Sequence, residues 1–99
     1  MLIESLGVGH PIIFIHGWAM NKDVFKPFFE KLDKKKYQLL FFDLPEIDEN
    51  DTWENCINQI SDAIQDFNFD SFDLFGWSLG GQIAIEICRL KREKVKKII

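Results

Sequence analysis

The sequence predicts an α/β fold in which an open, mostly parallel sheet carries helices on its flanks. Three observations support that expectation. Short runs of apolar, β-favouring residues recur along the chain, apolar at consecutive positions as a strand covered on both faces must be. Longer stretches between them repeat their apolar residues near every 3.6 positions. The connections are short, which favours right-handed crossovers and parallel pairing. About four strands and three helices account for the chain.

Ile12-Ile13-Phe14-Ile15 is the first buried strand, introduced by Gly9-His10-Pro11 and closed by His16-Gly17. Asn21 to Leu32 reads as a helix, with apolar residues at 24, 25, 28, 29 and 32. Pro27 has no amide hydrogen, so it must sit in the first turn or the helix must start after Asn21. Tyr37 to Phe42 is the second buried strand and runs into Asp43-Leu44-Pro45. An acidic loop with Glu46, Asp48, Glu49 and Asp51 leads to a helix from Thr52 to Phe67, with Asp51 or Thr52 as its N-cap. Ser71 to Phe75 is the third strand, and Leu79 to Leu90 the helix it launches. On that helix Leu79, Ile83, Ala84, Ile87 and Cys88 share the inner face. Val95 to Ile99 reads as the start of a fourth strand, its last residues apolar and without turn chemistry.

Composition narrows the class. A chain of 99 residues with 46% hydrophobic content forms one domain at most and is globular. A net charge of −4 argues against nucleic acid as a partner. Cys56 and Cys88 have no C-x-x-C spacing and read as small core residues in a reducing compartment, so the expected location is the cytoplasm. The longest apolar run near the N-terminus, Ile12 to Ile15, is too short for a signal peptide or a membrane span. Neither histidine has a second ligand at metal spacing, so no metal and no cofactor is expected.

The chemistry concentrates in Gly76-Trp77-Ser78-Leu79-Gly80, a G-x-S-x-G pentapeptide between a strand and a helix. Average glycine and serine usage gives such a match by chance in only about 3% of chains this long. A serine on so sharp a turn is presented as a nucleophile, and the turn requires glycine two residues away on either side because a Cβ there would clash. Gly81 extends the small-residue run. A nucleophilic serine needs amide donors for the oxyanion that its attack creates. The Leu79 N–H, at the start of its helix, is one candidate. The second is the Trp18 N–H, in His16-Gly17-Trp18 after the first strand, where a glycine allows close backbone approach. His10 reads as a solvated turn residue and Asp43 as a loop cap. Phe25, Phe28 and Phe29 share a helical face and read as core. The basic run Lys91, Arg92, Lys94, Lys96 and Lys97 reads as cations complementing a helix C-terminus.

H-G-W after the first strand, Asn21 shortly beyond, F-D-L-P after the second and G-W-S-L-G-G at the turn together resemble the α/β-hydrolase superfamily. The tryptophans on both sides of the site, Trp18 and Trp77, are most similar to its carboxylesterases of biotin synthesis, which demethylate pimeloyl-acyl-carrier-protein methyl ester. The resemblance spans nearly the whole chain but only the N-terminal part of such an enzyme, its nucleophile half. It implies Ser78 as catalytic nucleophile, Trp18 and Leu79 as oxyanion and substrate contacts, and His16, Gly17, Gly76, Gly80 and Gly81 as structural residues of the loop and turn. It also implies that the first strand here lies between the second and third. Partners implied are a small acyl ester, an acyl carrier protein and a chain carrying the C-terminal half. That half would hold the lid, the later strands, and the triad acid and histidine. Two departures stand out: Glu46-Ile47-Asp48 replaces the family's glycine-rich residues after D-x-P, and no histidine follows Ser78. The alternative expectation is a non-catalytic truncated or split-gene product.

Overall fold

The computed structural model describes residues 2–18, 20–45 and 50–99. Five strands, Ile3–Leu6 (β1), His10–Ile15 (β2), Tyr37–Phe42 (β3), Phe72–Gly76 (β4) and Val95–Ile98 (β5), form one sheet in the order β1-β3-β2-β4-β5. β2 pairs in parallel with β3 and β4, and β4 with β5, while β1 runs antiparallel along β3. The first core strand, β2, therefore lies between the second and third, as the resemblance implies. The strand count is corrected from four to five. β1 is four residues of alternating exposure on the sheet edge, too short for its period of two to stand out in sequence.

Pro27 is accommodated by a break. Lys22–Phe25 forms one turn of 3₁₀ helix, and the α-helix Lys26–Lys31 (α1) starts afterwards with Pro27 in its first turn, where its missing N–H would have no intrahelical partner anyway. Helix α2, Trp53–Phe67, begins at Thr52, whose hydroxyl accepts the Asn55 N–H at 3.0 Å. It ends at Asn68, which takes up the left-handed conformation common after a helix. Helix α3 is Leu79–Leu90. Of the acidic loop, Glu46, Asp48 and Glu49 lie outside the described residues.

Alternation along each central strand builds two cores. Ile13 and Ile15, Leu40 and Phe42, Phe72 and Leu74 face α2 and α3, meeting Ile60, Ile64, Ile83 and Ile87. Ile12, Phe14, Leu39 and Phe41 face the other way, against Phe25 and α1. The second core is aromatic: the Phe14 ring lies 4.9 Å from Phe41, 5.2 Å from Phe25 and 5.3 Å from Phe75. Phe25, Phe28 and Phe29 all pack against this cluster. Cys56 is buried, which pushes its thiol pKa up, and Cys88 is half-buried; both are free thiols.

His10 is not the solvated turn residue that the sequence suggests. It opens β2, with its Nε2 3.1 Å from Oδ1 of the buried Asp73. That partner comes from β4, and pairing between distant segments leaves no local trace. The pair lies on the half of the sheet away from the C-terminal strand ends, where the glycine and histidine loops converge.

Candidate active site

The C-terminal ends of β2, β3 and β4 point the same way, and the loops leaving them hold every residue singled out for chemistry. Ser78 joins β4 to α3 with φ 57° and ψ −115°, one of two non-glycine residues with positive φ among those described. Its side chain is exposed and makes no capping bond to the helix that it begins. A serine in that conformation costs of order 1–3 kcal/mol, and the surroundings must hold it there.

They do so through backbone contacts. The Trp77 N–H donates to Ile15 O at 3.1 Å, tying the turn to the end of β2. The Gly80 N–H donates to Trp77 O, and the Gly81 N–H to Ser78 O, each at 2.9 Å. A Cβ on Gly80 would fall 2.0 Å from Ile15 O, and one on Gly76 2.3 Å from Gly80 O. These two glycines are required sterically. Gly81 is not, since a Cβ there would meet nothing nearer than 3.6 Å.

The loop after β2 abuts the serine. A Cβ on Gly17 would lie 2.9 Å from Trp77 O and 3.2 Å from the Ser78 Cβ, so the backbone at Gly17 passes where no side chain fits. Trp18 follows and is 72% exposed, and Trp77 beside the serine is also exposed. Leu79 is half-buried at the first position of α3, where amide groups lack an intrahelical acceptor. Among the described residues, neither the Trp18 nor the Leu79 N–H enters a turn, loop or cap hydrogen bond.

His16, buried at 6% exposure, connects this loop to the one after β3. Its Nε2 accepts the Leu44 N–H at 3.0 Å, and Nδ1 lies 2.8 Å from Gly17 O. A ring nitrogen that accepts a backbone N–H is unprotonated, so the proton sits on Nδ1 and is donated to Gly17 O. Both nitrogens are thereby occupied in fixing loops. Asp43 caps as expected, accepting the Lys22 N–H at 2.7 Å. Asn21 accepts the Asp23 N–H at 2.9 Å. The Lys22 ammonium lies 3.2 Å from both Glu4 and Asp23; hydrogen bonds to Glu4 and then Asp23 raise its pKa, and Lys22 lowers that of Asp23. Beside these loops opens a cavity of about 470 Å³ lined by Leu2, His16, Met20, Asn21, Asp43, Leu44 and Pro45.

A model of the α/β hydrolase fold matches residues 10–99. The chain belongs to that family. It is 31% identical to the pimeloyl-[acyl-carrier protein] methyl ester esterase of Shewanella woodyi, the match covering 98% of this chain and 37% of that protein. With the protein of the same name from Nitrosomonas europaea it shares 32% identity, over 98% of this chain and 38% of the relative. An α/β superfamily hydrolase from Oenococcus oeni superposes with a TM-score of 0.86 at 30% identity, covering 97% of this chain and 39% of that one. The chain thus spans under two-fifths of the length of these relatives.

Within the family's fold, sequence reasoning missed Glu4, Lys22 and Leu44, which brace the two loops. Only the capping role of Asp43 hinted that such partners exist. Among the described residues, no group of three or more His, Cys, Asp and Glu could hold a metal ion, and no helix is long and apolar enough to cross a membrane.

The strain at Ser78 has a measurable consequence. Glycine adopts positive φ freely, although it adds about 0.5–1 kcal/mol of unfolded-state entropy. Relief of 1–3 kcal/mol outweighs that cost. Ser78→Gly is therefore expected to stabilise the fold by about 1 kcal/mol in urea unfolding relative to Ser78→Ala, which keeps the strain. A Ser78→Gly protein no more stable than Ser78→Ala would show the turn to be relaxed.

Proposed function

We propose that this chain is the nucleophile half of a serine carboxylesterase-type hydrolase, with Ser78 attacking the carbonyl of an acyl ester. The observation that carries this reading is Ser78 itself: an exposed serine at φ 57° on a strand-to-helix turn, with the Gly17 backbone packed against its Cβ. Attack forms a bond from Oγ to the carbonyl carbon as the Oγ–H bond breaks and its proton passes to a base, and the carbonyl electrons move to oxygen. The Trp18 and Leu79 N–H groups are the proposed donors to that oxyanion. Both lack a competing turn, loop or cap bond among the described residues, and the positive end of the α3 dipole favours negative charge beside Leu79. Collapse expels the alkoxide, which takes up a proton, and leaves an acyl-enzyme for water to hydrolyse.

The base and its orienting acid are proposed to come from sequence beyond this chain. The family order is Ser, Asp, His, and no histidine follows Ser78 here. His16 does not serve as the base in this reading, because both its nitrogens are engaged in loop contacts. Without the pair, serine hydrolases retain only about 10³–10⁴-fold acceleration over water, so the isolated chain is expected to turn over little substrate. Relatives named for pimeloyl-[acyl-carrier protein] methyl ester support an acyl ester of that class, with an acyl carrier protein as partner. The two free cysteines fit a cytoplasmic location.

A fluorophosphonate reagent tests the reading by mass spectrometry of the intact protein. With a chain supplying the later part of an α/β hydrolase present, one adduct per molecule is expected on Ser78 and none on Ser78→Ala. Equal labelling of the two proteins would remove Ser78 from the mechanism.

A further inference from the structure

Charge is sharply partitioned along this chain, and one end of it forms a hollow. Residues 37–88 contain no Lys or Arg, whereas half of the chain's 12 basic residues fall within residues 89–97, accompanied by the single acid Glu93. Arg89, Lys91, Arg92 and Lys94, with Gln65 of α2, Leu90 and Glu93, line a depression of about 380 Å³ where α3 ends and the chain turns towards β5. The Lys91 ammonium donates to Gln65 Oε1 at 2.9 Å, which holds it across the gap between the two helices.

A helix C-terminus carries only about half a negative charge, and Arg89 in the last turn answers it. The other cations exceed that need. Arg89 also lies 3.7 Å from Glu86, but Lys91, Arg92 and Lys94 form no ion pair among the described residues. The exposed Asp62 and Asp66 of the neighbouring α2 form none either. Four cations against the one carboxylate of Glu93 line this concave site; like charges so gathered repel one another, and an anion relieves that repulsion.

We propose that this depression binds a small phosphate-bearing anion at a site separate from Ser78. Two guanidinium groups favour phosphate, whose oxygens accept paired N–H bonds that a single ammonium cannot supply. The twelve residues of α3 put the depression about 18 Å from the serine at 1.5 Å per residue. The site is therefore independent of the ester chemistry and stands whether or not Ser78 is a nucleophile.

Inorganic pyrophosphate is the probe, titrated at constant ionic strength and followed by amide NMR. Saturable shifts are expected in Gln65 and residues 89–95. Binding to Arg92→Ala/Lys94→Ala should be at least about tenfold weaker, the loss expected for a charge-assisted contact. Lys34→Ala/Lys35→Ala, altered in a different basic run, should bind as the parent does. Arg92→Lys, a minimal change at an exposed position, should fall between parent and double variant. Shifts that never saturate, that are equally large at Lys34 to Lys36, or that persist unchanged in Arg92→Ala/Lys94→Ala would overturn the proposal.

Discussion

Gly80→Ala is expected to destabilise the fold by at least about 3 kcal/mol, the upper part of the range for overpacking. The added methyl would lie 2.0 Å from Ile15 O and 2.7 Å from His16 O. Both atoms are backbone, so no rotamer change relieves the contact, and α3 would have to move away from β2. For a domain of this size the loss lowers Tm by about 12 °C or more. Gly81→Ala is the matched control one residue on. Its methyl meets nothing nearer than 3.6 Å, and alanine is favoured over glycine inside a helix by about 1 kcal/mol. The two neighbouring substitutions should therefore shift Tm in opposite directions in a thermal melt. A Gly80→Ala protein melting with the parent would mean that the packing of the turn on β2 is wrong.

Phe14→Ala is expected to cost about 3–5 kcal/mol, the range for removing a buried phenylalanine. Its ring is 1% exposed and within 6 Å of those of Phe25, Phe28, Phe41 and Phe75. Their packing on one another adds to the burial. Phe14→Leu keeps most of the volume and should lose less than half as much. Urea unfolding with an unchanged m-value separates lost stability from a changed denatured state. Because β2 carries the Gly17 loop, loosening Phe14 should also expose the Trp77 amide to exchange. Full stability in Phe14→Ala would show that the aromatic core contributes little.

The parts of this protein that can be read from its sequence are those whose cause is local. The central strands announce themselves because Ile12 to Ile15 and Leu39 to Phe42 are buried on both faces. The serine turn is legible because its glycines sit at fixed offsets from Ser78. Thr52 is legible as a cap because its partner, Asn55, is three residues away. What stayed hidden depends on distant partners. β1 gains its identity from β3, His10 its neighbour from β4, and His16 its second bond from Leu44. The spacing that marks Gly80 gives no hint that the atoms excluding its side chain belong to β2. Pro27 signalled a break without showing that a 3₁₀ turn would fill it.

The bond from the Trp77 N–H to Ile15 O ties the serine's posture to the seam between β2 and β4. That seam closes only when segments far apart in the chain have found each other, so the positive φ at Ser78 arises with global folding rather than ahead of it. A nascent or partly melted chain carries Ser78 in an ordinary, relaxed backbone conformation.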